Sequence, residues 1–164
     1  MVFVRFPAGL FPWSSHEKKF SFDIPNDTWK DMGEERRGAL KDSDVDFSSS
    51  GGYFFSVATY SSRVDAVLPW ESARKTLETS LSMLRASTMQ VWLTRGTPDC
   101  FVNGVPGYKM ELCYFYGGRL YAGAIIVLVK NNIHYRLLYV ALDDVYEASL
   151  PDYQKILTSF KISD

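Results

Sequence analysis

The sequence contains few of the residues from which metal and disulfide sites are usually built. Its 164 residues include only two cysteines and two histidines. Cys100 and Cys113 have no CxxC spacing, and neither His16 nor His134 has a cysteine or a second histidine beside it. The common zinc motifs need such spacings, and a domain of this size does not depend on disulfides. We therefore expect no metal site and two free thiols.

Long apolar runs and a strong charge of either sign are also absent. No run reaches 18 apolar residues, so the sequence predicts no membrane span. The formal net charge is −1, which gives no broad positive field for nucleic acid. The apolar start of the chain is interrupted by Arg5, Pro7 and Pro12 and lacks the cleavage site of a signal peptide. We expect a cytoplasmic protein that binds no nucleic acid, or an exported protein whose signal has been removed.

One acidic pattern fails as a calcium loop. Carboxylates stand at positions one, three and five of the run Asp42-Ser-Asp-Val-Asp46. An EF-hand then needs glycine at position six and glutamate at position twelve, where this sequence has Phe47 and Tyr53. The run is therefore expected to be a solvated acidic loop.

No residue of the sequence is predicted to be catalytic. Cys113 lies between Leu112 and Tyr114 in a strand-like run, which does not provide the basic, partly exposed setting of a reactive thiol. His134 shares a strand face with Arg136 and is expected at a polar sheet edge. No glycine-rich phosphate loop is present. The sequence predicts neither enzymatic activity nor a cofactor.

Aromatic residues are plentiful and favour strands. They make up 15% of the chain, as 10 Tyr, 11 Phe and 4 Trp. The clearest helix is predicted over 69–86, because Trp70, Ala73, Leu77, Leu81 and Leu84 recur at three- and four-residue steps. A last helix is predicted over about 150–160, with Pro151 in its first turn.

Three long strand-like runs follow one another near the end of the chain, at 107–116, 119–130 and 133–142. Gly117-Gly118 and Asn131-Asn132 separate them, and both pairs suit two-residue hairpin turns. The runs are therefore predicted to form a three-stranded antiparallel meander. With two-residue turns, Cys113 faces Ala122, which in turn faces Ala141. Small side chains on that face would let a helix approach closely.

The rest of the chain is divided into an arm and a domain. Residues 1–19 are expected to be an irregular, apolar arm, and residues 20–164 a single domain. Residues 33–52 are interpreted mainly as a polar loop. Further strands are predicted at 20–24, 53–60, 89–95 and 99–102.

The order of these elements resembles a known superfamily. An early strand ends in Phe22-Asp-Ile-Pro25 with Trp29 close behind, and a long helix follows midway. An Asn103-Gly-Val-Pro-Gly-Tyr108 run then leads into the meander, and the chain ends in a helix closing with Thr158-Ser-Phe160. This order resembles that of the photosystem II subunit PsbP, the Ran-binding Mog proteins and bacterial DcrB-like domains.

The resemblance implies an α+β fold in which helices flank an antiparallel sheet, as an α/β/α sandwich. It also implies a non-catalytic protein-binding or assembly module, with chaperone and secretion roles among those of the family. A carrier of an apolar small molecule or lipid, or an enzyme without a readable motif, remain as alternatives. A protein partner or self-association is expected, with Phe6, Phe11 and Trp13 of the arm as anchors, since bulky aromatic residues dominate binding hot spots.

Overall fold

The computed structural model describes residues 11–15, 19–32, 42–61, 68–87 and 90–164. These residues form ten strands and two helices, with a 3-10 turn at Asp143–Val145 before the second helix. The helices are α1 (Pro69–Ser87) and α2 (Tyr146–Ser159). The strands are β1 (Phe11–Ser15), β2 (Phe20–Ile24), β3 (Trp29–Asp31), β4 (Val45–Ser49), β5 (Tyr53–Ser61), β6 (Gln90–Val102), β7 (Val105–Tyr116), β8 (Arg119–Lys130), β9 (Ile133–Leu142) and β10 (Lys161–Ile162).

Seven of these strands form one antiparallel sheet, in the order β3-β4-β5-β9-β8-β7-β6. The predicted meander is confirmed, and β6 extends it by a fourth strand. Its register is also confirmed, because Cys113 pairs with Ala122 and Ala122 pairs with Ala141. Both residues of the turns Gly117-Gly118 and Asn131-Asn132 have positive φ, as two-residue hairpin turns of this kind require.

Helix α1 covers one face of the large sheet. Four residues of its predicted apolar stripe, Ala73, Leu77, Leu81 and Leu84, are buried. The fifth, Trp70, is only partly buried and packs against Tyr108 of β7. The helix crosses β7 and β8, and it also touches β6 and β9. The sheet residues of this core layer are Leu112, Tyr114, Ile125, Val127, Leu138 and Val140.

Helix α2 and a second sheet cover the opposite face. The second sheet has three strands in the order β1-β2-β10. Helix α2 lies over β8 and β9, next to the predicted small-residue face, and the ring of its Tyr153 lies 4.6 Å from that of Tyr139. Phe20, Phe22 and Phe160 pack between the two sheets, so aromatic side chains fill this second core layer. The predicted arrangement of a sheet flanked by helices is confirmed.

Several predicted boundaries differ from the structure. The polar loop predicted over 33–52 contains β4, whose Val45 and Phe47 are buried. The strands predicted at 89–95 and 99–102 are a single strand, because β6 continues through two register irregularities. Helix α2 begins at Tyr146, so Pro151 lies inside it and not in its first turn. The helix tolerates Pro151 because the carbonyl that loses its bond belongs to exposed Glu147.

The irregular conformation predicted for the arm is wrong over residues 11–15, which form β1 and pair with β2. Residues 1–10 lie outside the described residues. Cys100 and Cys113 are both free. Cys100 pairs with Gly107, six residues along β7 from Cys113, which is a separation of about 20 Å and far beyond disulfide reach.

Candidate functional site

A buried polar cluster lies between α1 and the large sheet. We define it as Asp42, Tyr60 and Arg136. Arg136 is 0% exposed, and its Nη1 lies 2.8 Å from Asp42 Oδ1 and 2.5 Å from the hydroxyl oxygen of Tyr60. The Tyr60 hydroxyl donates in turn to Asp42 Oδ2. Ala58 pairs with Arg136 across the strands, and its small side chain leaves room for the guanidinium group.

The cluster is charged but only partly satisfied. Among the described residues, Nε and Nη2 of Arg136 are buried and have no hydrogen-bond acceptor. Burial is the largest cause that raises the pKa of Tyr60 well above its ordinary value, while the nearby Arg136 opposes that rise. The phenol is therefore protonated at neutral pH and acts as a donor to Asp42. This arrangement holds the chain before β4 against the sheet.

His134 extends the polar contacts toward the start of α1. It is 1% exposed, with Nε2 2.7 Å from Ser72 Oγ and Nδ1 2.5 Å from Thr76 Oγ1. The predicted position at a polar sheet edge is wrong, because β5 pairs Tyr60 with His134 and makes β9 an interior strand. Burial lowers the pKa of His134, so the ring is neutral near pH 7.

The expected solvated acidic loop is also wrong in part. Asp42 binds Arg136, and both oxygens of buried Asp46 accept from Ser43 Oγ at 2.7 Å. Asp44 Oδ2 accepts from the backbone nitrogen and hydroxyl of Thr59, each at 2.7 Å. The carboxylates therefore hold the loop in place. Within the described ranges, no three His, Cys, Asp or Glu side chains are grouped to hold a metal ion.

An apolar groove opens beside α1, on a part of the same sheet face that the helix does not cover. It has a volume of about 40 Å³. A carrier of a lipid-sized molecule would need several hundred Å³. The residues that line the groove include Met32, Phe54, Ser56, Tyr114, Tyr116 and Tyr121. The groove is therefore much smaller than the pocket that a lipid-sized ligand needs.

Several large apolar side chains of the described residues are exposed instead. Phe101 is 61% exposed, Leu93 41% and Trp92 39%. All three belong to β6, the outermost strand of the large sheet. Leu68 and Leu150 are exposed to a similar extent elsewhere. Exposed apolar groups gathered on one strand are typical of a surface that binds another chain.

The structure places the predicted partner anchors only in part. Phe11 and Trp13 lie in β1, where their backbone pairs with Ile24 and Phe22 of β2. Phe6 lies outside the described residues. Their role in binding a partner stays a prediction.

Sequence reasoning missed both the polar cluster and the exposed strand. A signal for the cluster is present, since Arg136 is the one charged residue in the strand-like run from Ile133 to Leu142. A charge in a strand covered on both faces needs a buried partner. The exposure of β6 carries no comparable signal, because strand order in the sheet decides it.

Solved structures share this fold. Cyanobacterial PsbP (CyanoP) from Synechocystis sp. PCC 6803 superposes with a TM-score of 0.71 at 16% identity, covering 94% of this chain and 93% of that one. The Saccharomyces cerevisiae Ran-binding protein Mog1p superposes with a TM-score of 0.59 at 9% identity, covering 94% and 96%. LpqN of Mycobacterium tuberculosis, involved in cell envelope biogenesis, has a TM-score of 0.51 at 14% identity, covering 98% and 89%.

These likenesses assign the fold. The chain has the PsbP/Mog-like fold, as the order of its sequence elements predicted. No protein-family model matches the sequence, and no curated protein matches it. In the part of the chain that the structure describes, no helix is long and apolar enough to cross a membrane.

Proposed function

We propose that this chain is a non-catalytic protein-binding or assembly module of the PsbP/Mog-like type. The observation that carries the proposal is the likeness to CyanoP over nearly the whole length of both chains. The name of a second similar protein, Mog1p, describes it as Ran-binding. A protein partner is therefore the kind of ligand that the fold favours.

The distribution of polar and apolar side chains supports the same function. The buried polar groups, Arg136 and His134, are enclosed by α1 and the sheet, where a substrate does not reach them. The exposed groups of β6 are apolar and suit contact with another protein. An enzyme would instead place titratable groups together in an open cleft.

We further propose that Phe6, Phe11 and Trp13 anchor a partner. Large aromatic side chains lose little conformational entropy on binding and bury much area, which suits them to this role. The pairing of β1 with β2 would hold Phe11 and Trp13 at a fixed place on the domain.

The test is affinity capture after chemical cross-linking in cells that express the chain. The bait is compared with a triple variant, Phe6→Ala, Phe11→Ala and Trp13→Ala. We expect the variant to capture at least tenfold less of a protein that the bait captures specifically, while its melting temperature stays the same. Leu150→Ala, which removes an exposed apolar side chain elsewhere, is the control and should capture normally. A triple variant that melts many degrees lower but still captures the partner would show that the aromatic residues belong to the core.

A further inference from the structure

Among the residues that the structure describes, β6 forms an open edge of the large sheet. It spans Gln90–Val102 and is the last strand in the sheet order. Within the described residues it pairs only with β7. The outward backbone N–H and C=O groups of such a strand are a template on which another strand can add.

The two halves of this edge differ in how they are protected. The second half contains Arg95 and Pro98, and Asp99 has a φ of 51°. Register irregularities lie between Leu93 and Arg95 and between Thr97 and Cys100. Charge, proline and bulges are the usual devices that keep an edge strand from pairing with another chain.

The first half, Gln90–Leu93, has none of these devices. It carries no charge and no proline, and it pairs regularly with β7 from Gln90 opposite Phe115 to Leu93 opposite Leu112. Trp92 and Leu93 are 39% and 41% exposed, and as neighbours in a strand they lie on opposite faces of the sheet. We define Gln90–Leu93 as the open edge segment.

Trp92 is held in position rather than free in solvent. Its ring packs edge-on against Phe115 of β7, with the centroids 5.6 Å apart. A side chain that is already ordered loses less entropy when a second chain covers it. Covering the exposed part of Trp92 with a second chain therefore costs little conformational entropy.

The open edge segment is complementary to itself. When two identical edge strands pair around a two-fold axis perpendicular to the sheet, each residue stays on its own face. Residues that face each other across the pair therefore lie an even number of positions apart in the sequence, because only such residues share a face. The two-fold axis must then pass through the position of one residue. Centred on Trp92, the pairing places Trp92 opposite its own copy and Val91 opposite Leu93 of the second copy. Centred on Leu93, it would place Val91 opposite charged Arg95.

We propose that a second copy of this chain pairs antiparallel with the open edge segment, with Trp92 at the two-fold axis. The two seven-stranded sheets then continue into one another. Apolar side chains meet across the new strand pair on both faces, and such cross-strand pairs stabilise a sheet. The proposal deepens the proposed function by assigning the exposed residues of β6 to a second copy of the chain. It does not involve Phe6, Phe11 or Trp13, so its failure can be told apart from the failure of the proposed function.

Sedimentation velocity of the intact chain tests the proposal. The contact is short, so concentrations up to about 1 mM are needed to populate a weak dimer. We expect the molecular mass to double with rising concentration. Trp92→Lys, which places two positive charges opposite each other, and Leu93→Lys should each give a folded monomer. Trp92→Lys should melt slightly lower, because it also loses the contact with Phe115. Phe101→Lys changes the most exposed apolar residue of the same strand outside the segment and should leave the dimer intact.

The register is tested by cross-linking. In a Cys100→Ser, Cys113→Ser background, Trp92→Cys should form a symmetric disulfide on oxidation, because each residue 92 faces its own copy. Leu93→Cys, which faces Val91, should cross-link much less. A wild-type chain that stays monomeric at every concentration overturns the proposal, whether or not it binds an extended segment of another protein. So does a dimer that both lysine variants leave unchanged.

Discussion

Asn103 donates a hydrogen bond of 2.6 Å from its side-chain nitrogen to the backbone carbonyl oxygen of Phe160. The same nitrogen lies 3.0 Å and 3.3 Å from the carbonyl oxygens of Thr158 and Leu157. The last carbonyls of a helix have no partners within the helix. The turn between β6 and β7 therefore supplies a donor to the end of α2, and one residue connects the meander to the helix that covers it.

Replacing Asn103 should weaken the fold through this contact. Asn103 has a φ of 49°, so Asn103→Gly keeps the turn conformation and removes only the side-chain donor. We expect it to lower the free energy of unfolding by about 1 to 2 kcal/mol, the value of one or two net hydrogen bonds. Asn103→Asp should cost more, because a carboxylate would face three carbonyl oxygens. Urea unfolding of both variants measures the change.

Asn131→Gly is the matched control. Asn131 opens the turn between β8 and β9 with a φ of 52°, and its side chain is exposed. If this substitution costs as much as Asn103→Gly, the turn itself and not the contact with α2 explains the loss.

Leu77 and Leu81 should contribute strongly to stability, because they occupy the centre of the buried stripe of α1. We expect Leu77→Ala or Leu81→Ala to cost about 2 to 5 kcal/mol, the usual range for deleting a buried leucine side chain. Leu68→Ala, just before the same helix, removes an exposed side chain and should cost far less. Urea melts in which both buried variants lose less than about 1 kcal/mol would contradict the assignment of this face.

The parts of the fold that could be predicted from sequence depend on local rules. Gly117-Gly118 and Asn131-Asn132 specify two-residue turns, and the turns set the register of Cys113 with Ala122 by counting. The spacing of Leu77 and Leu81 likewise identifies α1, because a helix repeats every 3.6 residues.

The parts that could not be predicted depend on partners distant in sequence. The sequence around β4 predicts a loop because Asp46 and the serines beside it make a polar run, although Val45 and Phe47 are buried in the core. The sequence predicts His134 at a sheet edge because no local pattern shows that β5 pairs beside it. The contact of Arg136 with Asp42 spans 94 positions, which no local pattern encodes.

Breaking the ion pair between Asp42 and Arg136 should be costly. Asp42→Asn keeps the shape of the side chain but leaves the buried guanidinium without its counter-charge. Removing one partner of a buried pair typically costs 3 to 5 kcal/mol, and we expect about 3 kcal/mol because the Asp42 side chain is 28% exposed. Thermal and urea unfolding measure the loss.

A double-mutant cycle with Arg136→Met separates this pairing from other effects of the substitution. Methionine fills much of the same space without a charge. In the Arg136→Met background, Asp42→Asn should therefore cost much less than in the wild type. An equal cost in both backgrounds would mean that Asp42 stabilises the loop through other contacts.

Acidification should destabilise the protein through His134. Burial lowers its pKa below the ordinary value of 6.5. Arg136, on the same strand face, is positively charged and does not favour the charged form of the ring. The unfolded chain therefore binds a proton at this residue at a higher pH than the folded chain does. Stability is unaffected by His134 above pH 6.5 or so, falls as the pH drops below that value, and levels off once the folded ring is also protonated.

The variant His134→Gln tests this expectation. Glutamine can still bond to the hydroxyls of Ser72 and Thr76 but does not titrate. The free energy of unfolding, measured by urea titration from pH 8 down to pH 5, should fall more steeply in the wild type than in the variant below about pH 6.5. Carboxylates elsewhere titrate alike in both proteins, so the difference between the two curves isolates His134. Parallel curves would show that the folded protein accepts the proton without cost, with Ser72 and Thr76 turning their oxygen lone pairs toward a charged ring.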